Sequence, residues 1–417
     1  MRNLASQRVA DPPNSMSTEA REQRRLAIAS GLIAEAIPRA RAERNFPAWA
    51  NRALASDRRF GSRDRRYYRE LIYTAVRFLP WIETVRANDR GLAALWLSAD
   101  TIDTADARAA LPVNRASADL PLAGRANAFN KAFAGANASP DSLFSEWVCN
   151  ECPALLEPLE SATVHSRAPL WLRATRGDTT PAIAALAREG IEAAADNRIP
   201  GAIRVLAGPD VTRTAAYANG VVEVQDIGSQ WVLHTAGVAT GERWLDACAG
   251  AGGKTLQLAA LVDTSTPVVA HDIRATALEE LKGRAIRAHL DSIRVASAVE
   301  GGFDAVLVDA PCSGSGTWRR SPHLKWQTTR ADLAKFAARQ LDLLRRFAAH
   351  VRPGGRLVYA TCSLAQTENA GTVRAFLAAN PQFAAATPGD NPVGATLLPS
   401  VLDSDGFFVA VMRRSKT

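Results

Sequence analysis

A chain of 417 residues, 47% of them hydrophobic, is too long for one compact core and fits two or three domains. Its 50 lysines and arginines against 42 acids leave a formal charge of +8, and since arginine supplies most of the cations, a phosphate-rich partner such as RNA or DNA is favoured over a membrane surface. Five scattered cysteines argue against a disulfide framework, and the roughly 18 consecutive apolar residues of a membrane span occur nowhere, so a cytoplasmic protein with reduced thiols is expected.

Residues 1–24 are polar, with Pro12-Pro13 and several serines, and are expected to form a disordered tail. Residues 25–150 are rich in Ala, Leu and Arg, and Leu71, Ile72, Ala75, Val76 and Leu79 recur at helical spacing, which predicts an all-α N-terminal domain. Within it, residues 58–77 crowd arginines around Tyr67, Tyr68 and Tyr73. That pattern suits either a phosphate-binding face with stacking aromatics or a solvated helix face. Cys149 and Cys152 have no second pair at zinc-ligand spacing and read as structural, so no metal site is expected.

Residues 151–222 carry β-like runs at 170–174, 202–206 and 221–224 around a helical segment, 181–189, that stops at Gly190; a small α+β module is expected. From 223 to 417 the pattern turns to alternation: strands at 243–247, 268–272 and 305–309, helices at 253–261 and 275–289. A helix at 330–351, a turn at Pro353-Gly354-Gly355, a strand at 356–361 and an apolar run at 407–412 follow. Such alternation predicts a parallel sheet with crossover helices, a Rossmann-like α/β domain. No heptad or self-complementary stripe is visible, and a monomer is expected.

The first strand-to-helix turn of that domain, Asp246-Ala-Cys248-Ala249-Gly250-Ala251-Gly252-Gly253-Lys254-Thr255, has glycines that let backbone amides approach a ligand at a helix N-terminus. It matches neither the phosphate-binding P-loop nor the dinucleotide fingerprint. Asp272, at the end of the second strand, stands where a carboxylate accepts from ribose hydroxyls. Adenosine without an obligatory phosphate suggests S-adenosylmethionine, although these two features alone fit other nucleotide enzymes equally. Two cysteines lie at strand ends on the same edge, Cys312 in Asp309-Ala-Pro-Cys and Cys362 in Tyr359-Ala-Thr-Cys-Ser. Paired thiols suit cytosine chemistry, because carbon 5 becomes nucleophilic only after a thiolate adds to carbon 6.

On the loop ending Gly252-Gly253-Lys254-Thr255, on Asp309-Ala-Pro-Cys312 with Arg319-Arg320-Ser-Pro-His-Leu-Lys-Trp326, and on Tyr359-Ala-Thr-Cys-Ser, the chain resembles the RNA cytosine-5 methyltransferases of the Sun and nucleolar-protein family. It is most similar to bacterial members acting on 16S ribosomal RNA. Val224-Gln225-Asp226 with Ser229 and Gln230, Glu368-Asn369 and Asp405-Gly-Phe-Phe408 agree with the family in order and spacing. The N-terminal region looks like the NusB-like RNA-binding domain of some members.

The resemblance implies an RNA partner, S-adenosylmethionine as cofactor and 5-methylcytosine as product. It makes Cys362 the nucleophile, Cys312 a helper in later steps and release, Asp309 a hydrogen-bonding partner of the cytosine edge, and Lys254 the support of that carboxylate. Residues 248–254, with Asp272 and Asp309, would surround the cofactor. Two departures stand out: Gly250-Ala251 replaces a common Ala-Pro, and residues 293–298 lack the usual Asp near the adenine, with Ser297 as a substitute. The rivals are a DNA cytosine methyltransferase, in which Cys312 would be the nucleophile, and an RNA-binding assembly factor without methyl transfer.

Overall fold

The computed structural model describes residues 18–111, 120–263 and 265–416, and these divide into two compact units that meet between Leu143 and Phe144. Pro12-Pro13 and most of the expected tail lie outside the described residues. The helix α1 (Thr18–Ala42) begins earlier than residue 25, because its Glu, Arg and Gln residues are good helix formers.

The first unit is all-α, as expected: α1 is followed by α2 (Phe46–Ser56), α3 (Ser62–Arg77), α4 (Leu79–Thr84), α5 (Arg90–Leu97), α6 (Ala105–Ala109) and α7 (Leu122–Ala132). Ile33, Ala36 and Ala40 of α1 and Leu71, Ile72, Ala75 and Val76 of α3 are buried together with α5 residues. α1 and α5 approach so closely that a Cβ on Gly91 would meet Leu26 O at 2.3 Å, and Ser30 Oγ fills the gap by accepting from Gly91 N at 2.8 Å.

Between the two readings of residues 58–77, the structure takes the tyrosines away from any stacking platform. Tyr67 and Tyr68 are buried, Tyr67 donates to Glu22 at 2.8 Å, and Tyr73 packs edge-on against Phe46 at 5.8 Å. Several of the arginines are also paired, Arg59 with Asp57 and Arg66 with Asp103 at 2.9 Å. The helical period that puts Leu71 and Ile72 in the core puts Tyr67 and Tyr68 there as well; Arg77 is buried with them, and Arg58, Arg59, Arg63, Arg66 and Arg69 are exposed on a partly neutralised face.

The second unit starts with α8 (Trp147–Glu151) and α9 (Pro158–Val164), and the domain boundary expected after residue 150 lies instead after Leu143. Trp147 stacks edge-on with Trp318 at 5.8 Å and donates to Thr328 O at 3.1 Å, and Glu151 accepts from Thr367 N and Oγ1 at 2.9 and 2.8 Å. Cys152 is buried in the same cluster with Leu364 and Ala365, while Cys149 is exposed.

A small antiparallel sheet follows, β1 (Leu170–Ala174), β2 (Glu192–Asp196), β3 (Ala202–Ala207) and β4 (Val222–Val224), in the order β2-β3-β1-β4, with α10 (Thr179–Ala187) and α11 (Ala215–Ala218). β2 carries three consecutive alanines, poor strand formers, and is held by its pairing with β3 rather than by its own pattern. α12 (Ile227–Ala236), capped by Asp226, then leads into the large sheet.

That sheet alternates β5 (Trp244–Asp246), α13 (Gly253–Val262), β6 (Val268–Ala270), α14 (Ala275–Arg287), β7 (Ile293–Val295) and β8 (Phe303–Asp309). After α15 (His323–Gln327) and α16 (Arg330–Ala348) come β9 (Val351–Thr361), α17 (Thr372–Ala379), β10 (Phe383–Ala385), β11 (Ala395–Leu397), α18 (Pro399–Leu402) and β12 (Phe407–Arg414). Its order is β10-β12-β9-β8-β5-β6-β7, with β5 to β9 parallel and β12 antiparallel. Apolar clusters cover both faces, as a parallel sheet requires.

The turn expected at residues 353–355 is a bulge inside β9. Phe303 pairs with Val351 but Ala305 already pairs with Arg356, so Gly354, at φ +75°, lets the strand loop out and resume its register. No described helix is long and apolar enough to cross a membrane.

Candidate active site

β5, β6, β8 and β9 run parallel, so the loops that leave their carboxyl ends gather on one edge. The loop after β5 is shaped by Gly250 (φ +53°) and Gly252 (φ +90°). A Cβ on Gly252 would stand 2.7 Å from Leu281 Cγ, so the loop can reach the start of α13 only with glycine there, and nothing occupies the space above Gly253. Gly252 caps α13 without a side chain, which leaves the amides of the first turn available to a ligand.

Around this loop, Gly250 N donates to Asp272 Oδ2 at 2.9 Å, and Arg284 Nη1 donates to Ala251 O at 2.8 Å. Arg284 is in turn held by the buried Glu223 of β4, at 3.0 Å. The Gly250-Ala251 departure is therefore compensated by a grip on its carbonyl. Asp272 also accepts from Arg274 N and Nε at 2.9 and 3.0 Å; against the opposing effect of burial, these donors keep its carboxyl below the ordinary carboxylate range. Cys248 is pushed well above the ordinary thiol range by burial, with the neighbouring carboxylates adding to the effect. Ser297 is exposed beyond the edge strand β7.

β8 and β9 are adjacent and in register, with Asp309 opposite Ala360. The loops that follow therefore start side by side, and Cys312 Sγ lies 3.4 Å from Cys362 Sγ. The hydrogen bond shared with Cys362, and then burial, hold the Cys312 thiol well above its ordinary range. Lys254 Nζ, brought by the first turn of α13, donates to Asp309 Oδ2 at 2.8 Å. Lys254, Asp309, Cys312 and Cys362 line one cavity of about 430 Å³, together with Asp226 and Arg320. The four proposed reacting or supporting side chains are thus brought together, and Gly253 of the loop borders the same space.

Arg320 belongs to a motif read in the sequence, whereas Asp405, Asp226 and Gln225 agree with the family only in order and spacing, and Arg173 and Gln257 carry no sequence signal. Arg320 is clamped by the buried Asp405, whose backbone amide in turn bonds Asp226 at 3.3 Å. Gln225 accepts from Arg173 Nε at 2.8 Å and donates to Gln257 at 2.8 Å, and Gln257 donates to Gln230 O at 3.0 Å, a buried polar chain that joins β1 of the small sheet to α12 and α13. Arg173 itself is brought down to about 10 by burial. Their partners are 27 to 52 positions away in sequence, beyond the reach of any short pattern.

Asp246, the last residue of β5, accepts from Thr255 Oγ1 at 2.7 Å through one oxygen, and its other oxygen is buried without a partner. Burial, reinforced by the charge of Asp309, pushes it up to about 7 against the pull of Thr255 and Lys254. Since an unfolded Asp titrates near pH ~3.9, this group takes up a proton on folding. It costs no stability below that pH, and stability is lost as pH rises from there to about 7, by roughly a few kcal/mol. Thermal unfolding between pH 4 and 8 is expected to show a steeper fall in the wild type than in Asp246→Asn; parallel curves would contradict this assignment.

Residues 235–413 match the family model for the 16S rRNA methyltransferase RsmB/F. The ribosomal RNA small subunit methyltransferase B of Klebsiella pneumoniae is 33% identical over 264 residues, 59% of each chain, and that of Pasteurella multocida is 32% identical over 299 residues, 66% of each. The chain thus spans about 60% of the length of several curated relatives that it matches. Among solved structures, PH0851 superposes with a TM-score of 0.71 at 20% identity over 98% of this chain and 100% of its own. NSun6 from Pyrococcus horikoshii with SFG reaches 0.58 at 16% identity, over 65% of this chain and 97% of its own. These two establish the fold.

Proposed function

We propose, from the match of residues 235–413 to the 16S rRNA methyltransferase RsmB/F family model, that this protein methylates carbon 5 of a cytosine in RNA, with 16S ribosomal RNA as substrate. The cofactor is S-adenosylmethionine, which supplies an electrophilic methyl group when bound. The first turn of α13 at Gly253 and Lys254, with Asp272 holding the loop through Gly250 N, would hold it.

The observation that carries this reading is the thiol pair at 3.4 Å beside the Lys254–Asp309 ion pair. The nucleophile is assigned to Cys362 because it stands in the Thr-Cys motif, as the family resemblance implies; its thiol reacts as thiolate after giving its proton to solvent. Its sulfur bonds to carbon 6 of the cytosine, and the ring electrons move to carbon 5, which takes the methyl group. Loss of the carbon-5 proton to solvent then expels the Cys362 thiolate and restores the ring. Asp309 hydrogen-bonds the cytosine edge as charge develops, held in place by Lys254. Once Cys362 is committed to carbon 6, Cys312 loses its hydrogen-bond partner and stands ready to serve release of the base.

The target base must leave its stack to reach both thiols, at a cost of roughly a few kcal/mol. Phosphate contacts from the basic chain offset this cost, and the protein acts as a monomer in the cytoplasm. Total RNA from cells lacking the protein, incubated with purified enzyme and S-adenosylmethionine labelled in the methyl group, is expected to gain label as 5-methylcytosine at one ribosomal position. No label from folded, cofactor-binding protein would favour an assembly factor instead.

A further inference from the structure

Both cysteine loops converge on one buried carboxylate. Glu368 is fully buried and lies in a π-turn, Thr367–Gly371, just beyond Cys362. One of its oxygens accepts from Ser313 N at 2.9 Å and from Gln340 Nε2 at 3.0 Å; the other accepts from Ser363 Oγ at 2.6 Å and from Ser313 Oγ. Ser313 follows Cys312 and Ser363 follows Cys362. A single side chain thus holds the residue next to each thiol, and neither Ser313 nor Ser363 lines the cavity.

The surrounding bonds stiffen this plate. Ser315 Oγ lies 3.1 Å from Ser363 Oγ and accepts from Leu364 N at 2.8 Å, and Asn369 Nδ2 donates to Ser363 O at 2.9 Å. The described hydrogen-bond donors to the Glu368 carboxylate are neutral, so the charge is held by hydrogen bonds that require both loops to be in place. If either loop moved, a buried acceptor would lose a donor.

We propose that Glu368 is a positioning residue that sets the spacing of Cys312 and Cys362; only the kinetic part of its test rests on the function proposed above. Glu368→Gln keeps the shape but turns one acceptor into a donor facing Ser313 N or Ser363 Oγ. The decisive readout needs neither RNA nor cofactor. The azo oxidant diamide takes the two thiol hydrogens and becomes the hydrazine while a Cys312–Cys362 S–S bond forms. Peptide mapping follows that bond in the Cys149→Ser background, which removes the exposed thiol.

Cross-linking is expected to be about ten-fold slower in Glu368→Gln than in the wild type, with kcat for methyl transfer reduced about ten- to a hundred-fold and KM for the cofactor within about two-fold. Unchanged cross-linking in a folded Glu368→Gln protein would overturn the proposal. If that variant does not fold, Ser313→Ala decides in the same way, because it removes one bond between the plate and the Cys312 loop. Should the wild type transfer no methyl group, the function proposed above fails and the cross-linking rates still judge Glu368.

Discussion

Cys362→Ala is expected to lose methyl transfer by at least about 10⁴-fold, whereas Cys312→Ala is expected to stall with RNA bound covalently to the protein. The asymmetry follows from the roles proposed for the pair. The two sulfurs lie 3.4 Å apart, so removing Cys312 leaves the nucleophile Cys362 without its partner for release. Denaturing gels of protein incubated with labelled RNA and S-adenosylmethionine separate the two cases. A slow-migrating adduct should form with Cys312→Ala and be absent from Cys362→Ala. The reverse pattern would make Cys312 the nucleophile, as in DNA cytosine methyltransferases, and would overturn the assignment of roles.

The second large effect concerns the ion pair. Lys254 is 7% exposed and Asp309 30%, at 2.8 Å, so each substitution strands a charge of different burial. Asp309→Ala leaves the ammonium of Lys254 in a confined site and is expected to cost about 3–5 kcal/mol of stability, besides reducing kcat by roughly 10²- to 10³-fold. Lys254→Met leaves the more accessible carboxylate, so the stability loss is smaller. Its kcat should still fall by about 10²-fold, because Asp309 is no longer fixed against the base. Denaturant midpoints and single-turnover rates on the same preparations test this ordering. Equal stability losses, or full turnover in Lys254→Met, would contradict the role given to the pair.

Much of this site was legible because its chemistry is concentrated in short segments at strand ends. The alternation after residue 241 implies a parallel sheet, and a parallel sheet delivers the loops after its strands to one edge, where Cys312, Cys362 and Asp309 share a cavity with Gly253 and Lys254 of the 248–254 loop. The tyrosines of α3 were ambiguous for the opposite reason: Arg and Tyr in a helical period suit an RNA-facing surface and a core-facing one, and only packing against α1 decides. Residues 144–150 fall in the second unit rather than the first because the apolar residues Phe144, Trp147 and Val148 find their partners, Trp318, Leu364 and Ala365, more than 150 positions later.

The amino-acid sequence by itself determined the strand and helix alternation, the glycines that shape the loop after β5 and the placing of two cysteines at neighbouring strand ends, since these depend on backbone freedom and on residue types at fixed local spacing. Only the tertiary structure decided that the two thiols lie 3.4 Å apart, that Glu368 holds both cysteine loops and that burial raises Asp246 to about 7. Those properties arise from desolvation and from hydrogen bonds between residues up to 55 positions apart. The pairing of β8 with β9 brings such residues together, and no local pattern records the dielectric in which they meet.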